Sequence, residues 1–424
     1  MRLCTFEDAR VAGLDPLAAA RPAFDFRCGL TTLLEKHLRA IRPTAVGALV
    51  RPYLARLAAL DHPHYRVNES DWLAAGPAVL VNARWLPPVR FQLPTDGPFV
   101  GVIGDEVAYA VLAPDDLIDA TPHNLDECLD RWRARLYTRP AVGRLTRHLW
   151  DLIEWNADQI AADFAHRDRD EMTGWPSTLT LVGPSDALWV HPTARVDPFV
   201  VADTTNGPVV IDRDAVLTSF TRLEGPCHVG PRTQVFAGNV RAGTSLGPNC
   251  RVGGEVSASI FVANSNKSHE GYLGHSYVGE WVNLGAGTHA GDLRNDYAAI
   301  HITLDGRAID TGRQKLGAFV GDHVKAGVGC KLNAGAVVGP FAQLLPGGPL
   351  LPKTVPAFCT VDHGRVIDCP DPQPLFDAAE RVTGRRGDEF TDTHRAVYKG
   401  LFDRGASERR TAVHEAELRR LRRG

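Results

Sequence analysis

From about Ala187 onward, aliphatic residues recur at every sixth position, and few folds tolerate such a period. Val190 and Val196 open one register; Ile211, Leu217, Leu223, Val229 and Val235 form a longer one. Leu246 and Val252 continue it, then Val278 and Leu284, and after a break Val320, Ala326, Leu332, Val338 and Leu344. The next residue is repeatedly small or turn-forming: Gly230, Gly247, Gly253, Gly279, Gly285, Gly321, Gly327, Asn333 and Gly339. Six residues suits neither the helical period nor the alternation of an ordinary strand. It suits a coil with three short flat faces per turn, one aliphatic per face pointing inward. The residue after it is then expected at the corner, where positive φ costs Gly, Asn or Asp least. The predicted architecture is a left-handed parallel β-helix whose stacked aliphatics form one continuous column.

The period breaks between about His289 and Lys315, a stretch that must leave the coil as a loop. Before the coil, Met1 to about Pro140 reads as a mixed α/β domain. RLCTFED is a strand, TTLLEKHLRAI a helix, PAVLVNARWLP a buried strand, and FVGVIGDEVAYAVL a hairpin turning at Gly104-Asp105. The expected division is residues 1–140 for this Rossmann-like domain, 141–186 for a helical linker, 187–358 for the coil and 359–424 for a charged helical tail. The basic end of that tail, ERRTAVHEAELRRLRRG, is expected to be a solvated face and not a binding patch.

The 424 residues exceed one compact core, and a net charge of −3 gives no reason to expect nucleic acid or an acidic membrane as partner. Eight single cysteines without a C-x-x-C pair argue against zinc and against a disulfide framework. No apolar run has the length of a membrane span, and the N-terminus lacks a signal-peptide core, so the reading is a reduced cytoplasmic protein.

Reactive side chains are densest in NSNKSHEGYLGHSYVGEWVN, Asn264 to Asn283. The run K-S-H-x-G-Y-L-G-x-x-x-x-G-E-x-V-N-L-G-A-G-T resembles the acetyltransferase half of the bacterial bifunctional enzymes that make UDP-N-acetylglucosamine. That family joins a sugar-phosphate uridylyltransferase to a left-handed β-helix that acetylates glucosamine 1-phosphate. The resemblance implies His269 as catalytic base, Tyr272 and Asn283 as sugar-phosphate contacts, and Ala286 as a backbone contact to the thioester of acetyl-CoA. It implies Arg241 as a phosphate grip, with Asp292 and Arg294 approximating an asparagine and a lysine of the family. His275 is a rival base six residues beyond His269. Ser257 stands where the family has a phosphate-binding lysine, so either Lys267 supplies the missing charge or the acceptor is a sugar other than a sugar 1-phosphate. A base suits this chemistry because the attacking amine must shed a proton, and backbone N–H groups at a glycine-rich corner suit the oxyanion.

The first domain lacks the family's G-x-G-T-R-M loop. DPLAAARPAFDFRCGLTTLLEKHL resembles the divergent sugar nucleotidyltransferase-like branch instead, which implies Arg21, Arg27 and Gly29 as nucleotide-binding residues. An alternative pairs Arg27 with Glu35 structurally beside the helix start. Asn82 stands where the family presents a magnesium-binding aspartate, and Asp105 is the alternative Mg2+ ligand.

The function expected is acetylation of an amino-sugar phosphate by acetyl-CoA, with sugar-1-phosphate nucleotidyl transfer from a nucleoside triphosphate in the first domain. The alternatives are acetyl transfer with a nucleotide-sugar-binding module, or a non-catalytic trimeric scaffold. The family implies a homotrimer with acyl sites between neighbouring chains.

Overall fold

The computed structural model describes residues 1–94, 97–167, 174–304, 306–348 and 350–421. Parts of the expected linker (168–173) and the last residues of the expected tail (422–424) therefore lie outside the described residues.

Arg2–Phe6 is buried from Leu3 to Phe6 and lies inside a seven-stranded sheet, between Ala78–Asn82 and Ala45–Leu49. In order, the strands are Tyr137–Pro140, Phe99–Ile103, Glu106–Leu112, Ala78–Asn82, Arg2–Phe6, Ala45–Leu49 and Arg66–Val67. Ala78–Asn82, Arg2–Phe6, Ala45–Leu49 and Arg66–Val67 run parallel, whereas Glu106–Leu112 is antiparallel to both of its neighbours. The expected hairpin is present, turning at Gly104-Asp105. The helix Leu33–Ile41 begins where Thr32 and Glu35 close a capping box: Glu35 N–H donates to Thr32 Oγ1 (3.2 Å) and Thr32 N–H to Glu35 Oε2 (2.7 Å). Glu35 is thus a cap and does not pair with Arg27.

Beyond it lies the left-handed parallel β-helix predicted from the six-residue period. Val190, Ile211, Val229, Leu246, Phe261, Val278, Val320, Val338 and Val355 stack in register along one face. All are buried in one column with Leu217, Leu223, Val252, Leu284 and Leu344. Each such side chain contributes about 1.5–3 kcal/mol of transfer free energy. The coil begins at Leu179–Val182, which pairs with Val200–Asp203, so its first strand precedes residue 187. At the other end Thr360–Asp362 and the antiparallel Arg365–Ile367 extend it past residue 358.

The corner geometry differs from the sequence expectation. Gly230, Gly247, Gly279, Gly321 and Gly339 do not adopt positive φ; the residues two positions later do, at Arg232, Asn249, Trp281, His323 and Phe341. The glycines are required by close stacking of successive turns. A Cβ on Gly247 would lie 1.7 Å from Val262 O, and one on Gly339 2.3 Å from Ala357 N.

One face of the coil is apolar on both sides. Its outward residues Ile260, Tyr277 and Phe319 pack against Phe24, Phe26, Trp150 and Ile153, while Trp189 and Val210 pack against Ile160 and Phe164. The helix Leu149–Ala165 is therefore an interdomain wedge. The excursion expected near residues 289–315 forms the hairpin His301–Leu304 and Arg307–Asp310, whose Ile300, Ile302 and Leu304 are buried.

The C-terminal helices Gln373–Gly384 and Asp392–Arg404, which precede the basic end, pack onto the coil. Phe376, Phe390 and Tyr398 close over the corner residues Phe341 and Phe358. The two corner rings stack at 5.0 Å. No described helix is long and apolar enough to cross a membrane. The cysteines are unpaired, and burial pushes the thiols of Cys4, Cys28, Cys250 and Cys359 up to about 12.

Candidate functional site

Seventeen residues separate register partners on successive turns here, as Leu273 and Ala290 show. That offset places Asp292 beneath His275, and His289 beneath Tyr272. His275 Nδ1 lies 2.7 Å from Asp292 Oδ2, and the Tyr272 hydroxyl donates to the same oxygen from 2.8 Å. The Tyr272 N–H donates to His289 Nδ1 at 3.2 Å. Burial raises the Asp292 carboxyl, but the hydrogen bonds from His275 and Tyr272 outweigh it and hold the group below the ordinary carboxylate range. Burial and the Asp292 charge push the Tyr272 phenol up, so Tyr272 stays a neutral donor.

His275 also lines a cavity of about 570 Å3 bounded by Trp150, Ile153, Arg313, Lys315 and Leu316. The excursion thus returns two cations beside the histidine. The six-residue period predicts eighteen residues per turn, which places Asp292 under Gly274, so its pairing with His275 was not legible in the sequence.

Other expected residues take varied places. His269 is exposed, just before Gly271, which has φ 132°. Arg241 pairs with Glu255 at 2.7 Å and Glu224 at 3.6 Å, and the latter's strand shares a face with Tyr272. Asn283 is the register partner of Asn266, whose amide donates to it at 3.4 Å. Ala286 is half-buried and its carbonyl accepts the Gly329 N–H at 2.7 Å. Arg294 pairs with Asp296 at 2.5 Å.

Lys267 is a correction. It does not supply charge to a phosphate, because it occupies an inward position beside Val252 and is 1% exposed. Its ammonium donates to Gly253 O (2.8 Å) and His269 O (2.9 Å), and desolvation lowers its pKa to about 8. Lys267 therefore anchors the backbone that carries His269.

The first-domain residues are corrections too. Arg21 is consumed by the coil, donating to Glu280 (3.0 Å) and Asp322 (2.5 Å). Arg27 donates to Leu30 O, and its backbone exchanges hydrogen bonds with the Tyr277 hydroxyl. Gly29 N–H donates to Asn156 Oδ1 at 2.6 Å, and a Cβ there would lie 2.5 Å from Asp163 Oδ2. This segment docks the domain onto the wedge helix and the coil, leaving no free loop to cradle phosphates.

Asn82 is not a metal ligand: its amide donates to Asp8 Oδ2 and Val107 O, and its oxygen accepts the Arg84 N–H. Asp105 is an exposed turn residue paired with Arg10 at 3.0 Å. Where Arg2–Phe6 and Ala78–Asn82 end, the fully buried Arg84 guanidinium bridges Asp8 and Glu106, each at 2.6 Å. Arg10 and Arg147 add to Glu106 at 2.7 and 2.8 Å. These carboxylates are already neutralised by guanidinium groups and do not fit a divalent cation. Among the described residues no cluster of His, Cys, Asp or Glu is arranged to hold one.

A sugar nucleotidyl transferase family model matches residues 3–171. A bifunctional sugar-1-phosphate nucleotidylyltransferase/acetyltransferase of Sulfurisphaera tokodaii is 35% identical over 149 residues, 33% of this chain and 36% of that protein. A bifunctional GlmU protein of Azorhizobium caulinodans is 28% identical over 328 residues, covering 64% of this chain and 68% of its own. The chain is similar to these bifunctional proteins over the shares given. The match spans about a third of the Sulfurisphaera tokodaii protein's length. A solved polysialic-acid-specific acetyltransferase, NeuO, aligns with 50% of this chain and 99% of its own at 10% identity and a TM-score of 0.28.

Proposed function

We propose that the coil transfers an acetyl group from acetyl-CoA to an amino-sugar phosphate of the glucosamine 1-phosphate kind, as a step of nucleotide-sugar synthesis. The observation that carries this reading is the convergence of Tyr272, His275 and Asp292, with His289 behind Tyr272, on the coil stretch that bears the acetyltransferase motif. His269 serves as general base, accepting the amine proton as nitrogen attacks the thioester carbonyl. The Ala286 N–H suits the oxyanion, which collapses to the amide and expels coenzyme A as a thiol. Arg241 supplies positive charge toward the sugar phosphate, and Asn283 and Arg294 extend the polar surface. Asp292 and Ala286 flank the acyl donor.

A second assignment of the base is favoured by one contact. His275 has an orienting carboxylate at 2.7 Å, which His269 lacks, and it faces a cavity. Coenzyme A release measured with a thiol reagent separates the two. His269→Ala is expected to abolish release with an amino-sugar phosphate, and His275→Ala to slow it about tenfold. The reverse pattern transfers the role to His275. If no amino sugar supports release, the coil is a trimeric scaffold.

Nucleotidyl transfer by the first domain rests on the family match. The docking of Arg21, Arg27 and Gly29 and the Arg84 bridge favour a sugar-nucleotide-binding module instead. Pyrophosphate release from UTP or dTTP with a sugar 1-phosphate and Mg2+ decides between them. The working form we propose is a cytoplasmic homotrimer, with acyl sites between adjacent coils, testable by light scattering.

A further inference from the structure

Gly243, Ala258 and His275 are equivalent corners on successive turns of the coil, all at positive φ. The first two have almost no side chain, and a cavity of about 570 Å3 lies beside the row, lined by all three. The wedge helix supplies Trp150, Ile153 and Ala157 to its wall, and the returning excursion supplies Arg313, Lys315 and Leu316. The volume and the mostly apolar wall are those of a small-molecule site with a few polar groups to orient the ligand.

Those polar groups are not equally available. Arg313 is committed, its guanidinium donating to Glu154 at 2.7 Å. Lys315 makes no ion pair among the described residues, whereas Arg241 and Arg294 do. Its backbone bridges to Leu293, next to Asp292. His275 meets Asp292 through Nδ1 at 2.7 Å; its Nε2 has no partner among the described residues and is not sealed from solvent. A Cβ on Gly274 would collide with the Tyr272 hydroxyl and Asp292 Oδ2, so glycine there is what lets the carboxylate reach the ring. Burial pushes the Asp292 carboxyl up, but His275, Tyr272 and the Lys315 charge outweigh it and hold the group ionised. An ionised carboxylate keeps the imidazole proton on Nδ1 and leaves Nε2 as the acceptor.

Such a dyad exceeds what an amine acceptor requires. A neutral amine is nucleophilic as it stands and sheds its proton after attack. A hydroxyl must lose its proton as it attacks, to a base whose cationic form a neighbouring carboxylate stabilises. Lys315 adds a place for one anionic group.

We propose that the His275 cavity binds a hydroxylated anion of monosaccharide size and O-acetylates it, with Lys315 facing the anionic group. The inference rests on acetyl-CoA-dependent transfer by the coil and differs in the acceptor. The hydroxyl oxygen bonds to the thioester carbonyl carbon as its proton passes to His275 Nε2. The C–S bond then breaks, the imidazolium returns the proton to the departing sulfur, and an ester and the coenzyme A thiol remain. Asp292 is a positioning residue. A sugar phosphate and a sugar acid share this acceptor chemistry.

The full chain with acetyl-CoA is offered glucose 1-phosphate, glucuronate, glucose and glucosamine 1-phosphate in turn. Products are followed by mass and by treatment with hydroxylamine, which cleaves esters and spares amides. One of the first two acceptors is expected to gain an ester about tenfold faster than glucose, and which one does so identifies the source. His275→Gln is expected to lower ester formation about a hundredfold. Asp292→Asn should lower kcat with little change in KM, and Lys315→Met should raise KM for the anion about tenfold with kcat kept. Ala157→Phe, which fills the cavity away from the dyad, should stop the reaction; circular dichroism checks folding, and Lys315→Met on the exposed excursion carries the test if that variant does not fold. An amide on glucosamine 1-phosphate with no ester on any acceptor overturns the inference and leaves the proposed function standing. No product from any acceptor overturns both. Ester formation that survives His275→Gln, or that is as fast on glucose as on the anions, also overturns the inference.

Discussion

Asp292 Oδ2 accepts hydrogen bonds from two side chains of the preceding turn, Tyr272 at 2.8 Å and His275 at 2.7 Å. A carboxyl depressed on folding adds stability above its ordinary pKa, and that stability is lost as pH falls through the lower folded value. Asp292→Asn is therefore expected to cost about 1–3 kcal/mol at neutral pH. The gap to the parent protein should close in acid. Urea unfolding at neutral and acidic pH measures it, and a gap equal at both would contradict the assignment.

Lys267 carries the opposite sign. Its folded pKa of about 8 lies below the ordinary lysine value, so the unfolded chain binds the proton more readily. Stability is expected to rise with pH from about 8 toward the ordinary lysine pKa and to be flat below. Lys267→Met should remove that slope, and at neutral pH be neutral or stabilising by about 1–2 kcal/mol. The same variant frees His269 O, so it should also slow coenzyme A release if His269 is the base.

Arg84 is fully buried between Asp8 and Glu106. Arg84→Met leaves two carboxylates facing each other and is expected to destabilise the first domain by about 3–5 kcal/mol. Arg84→Lys should rescue only part of this, since one ammonium cannot reproduce the fork that also reaches Thr146 O. Urea denaturation followed by tryptophan fluorescence reads the effect through the buried Trp85.

Gly317 is where the excursion rejoins the coil. A Cβ there would lie 1.8 Å from Gly274 O and 2.3 Å from Ser276 Oγ. Gly317→Ala is expected to cost about 3 kcal/mol and to loosen Asp292, because Leu316 N–H donates to Asp292 O at 2.8 Å. Hydrogen exchange should show increased opening at Leu316 and Tyr277. Unchanged protection there would contradict this reading of the junction.

The coil was legible because its inward aliphatics are a local, repeating requirement: each must fill the same column on every turn, so the period survives in the sequence. The capping box at Thr32 and Glu35 and the turn at Gly104-Asp105 were legible for the same reason, their chemistry being closed within a few residues. The corner was misread by two positions, because a glycine demanded by stacking looks the same in sequence as one demanded by positive φ. The site was partly legible: the motif marked the stretch bearing His269, Tyr272 and His275, but not that Asp292 would sit one turn below.

What the sequence by itself determined is the column of the β-helix, the α/β domain before it and the place where the coil is interrupted. Only the tertiary structure decided what the charged residues do. Arg21, Arg27 and Gly29 lie in a stretch that reads as phosphate-binding, yet Glu280, Asp322, Tyr277 and Asn156, all more than a hundred residues away, claim them. Lys267 reads as a phosphate-binding cation and is folded inward onto carbonyls. A charge takes its role from the partners and the dielectric around it, and those are set by which distant segments meet. An aliphatic needs only to be removed from water, and its spacing along the chain already says where.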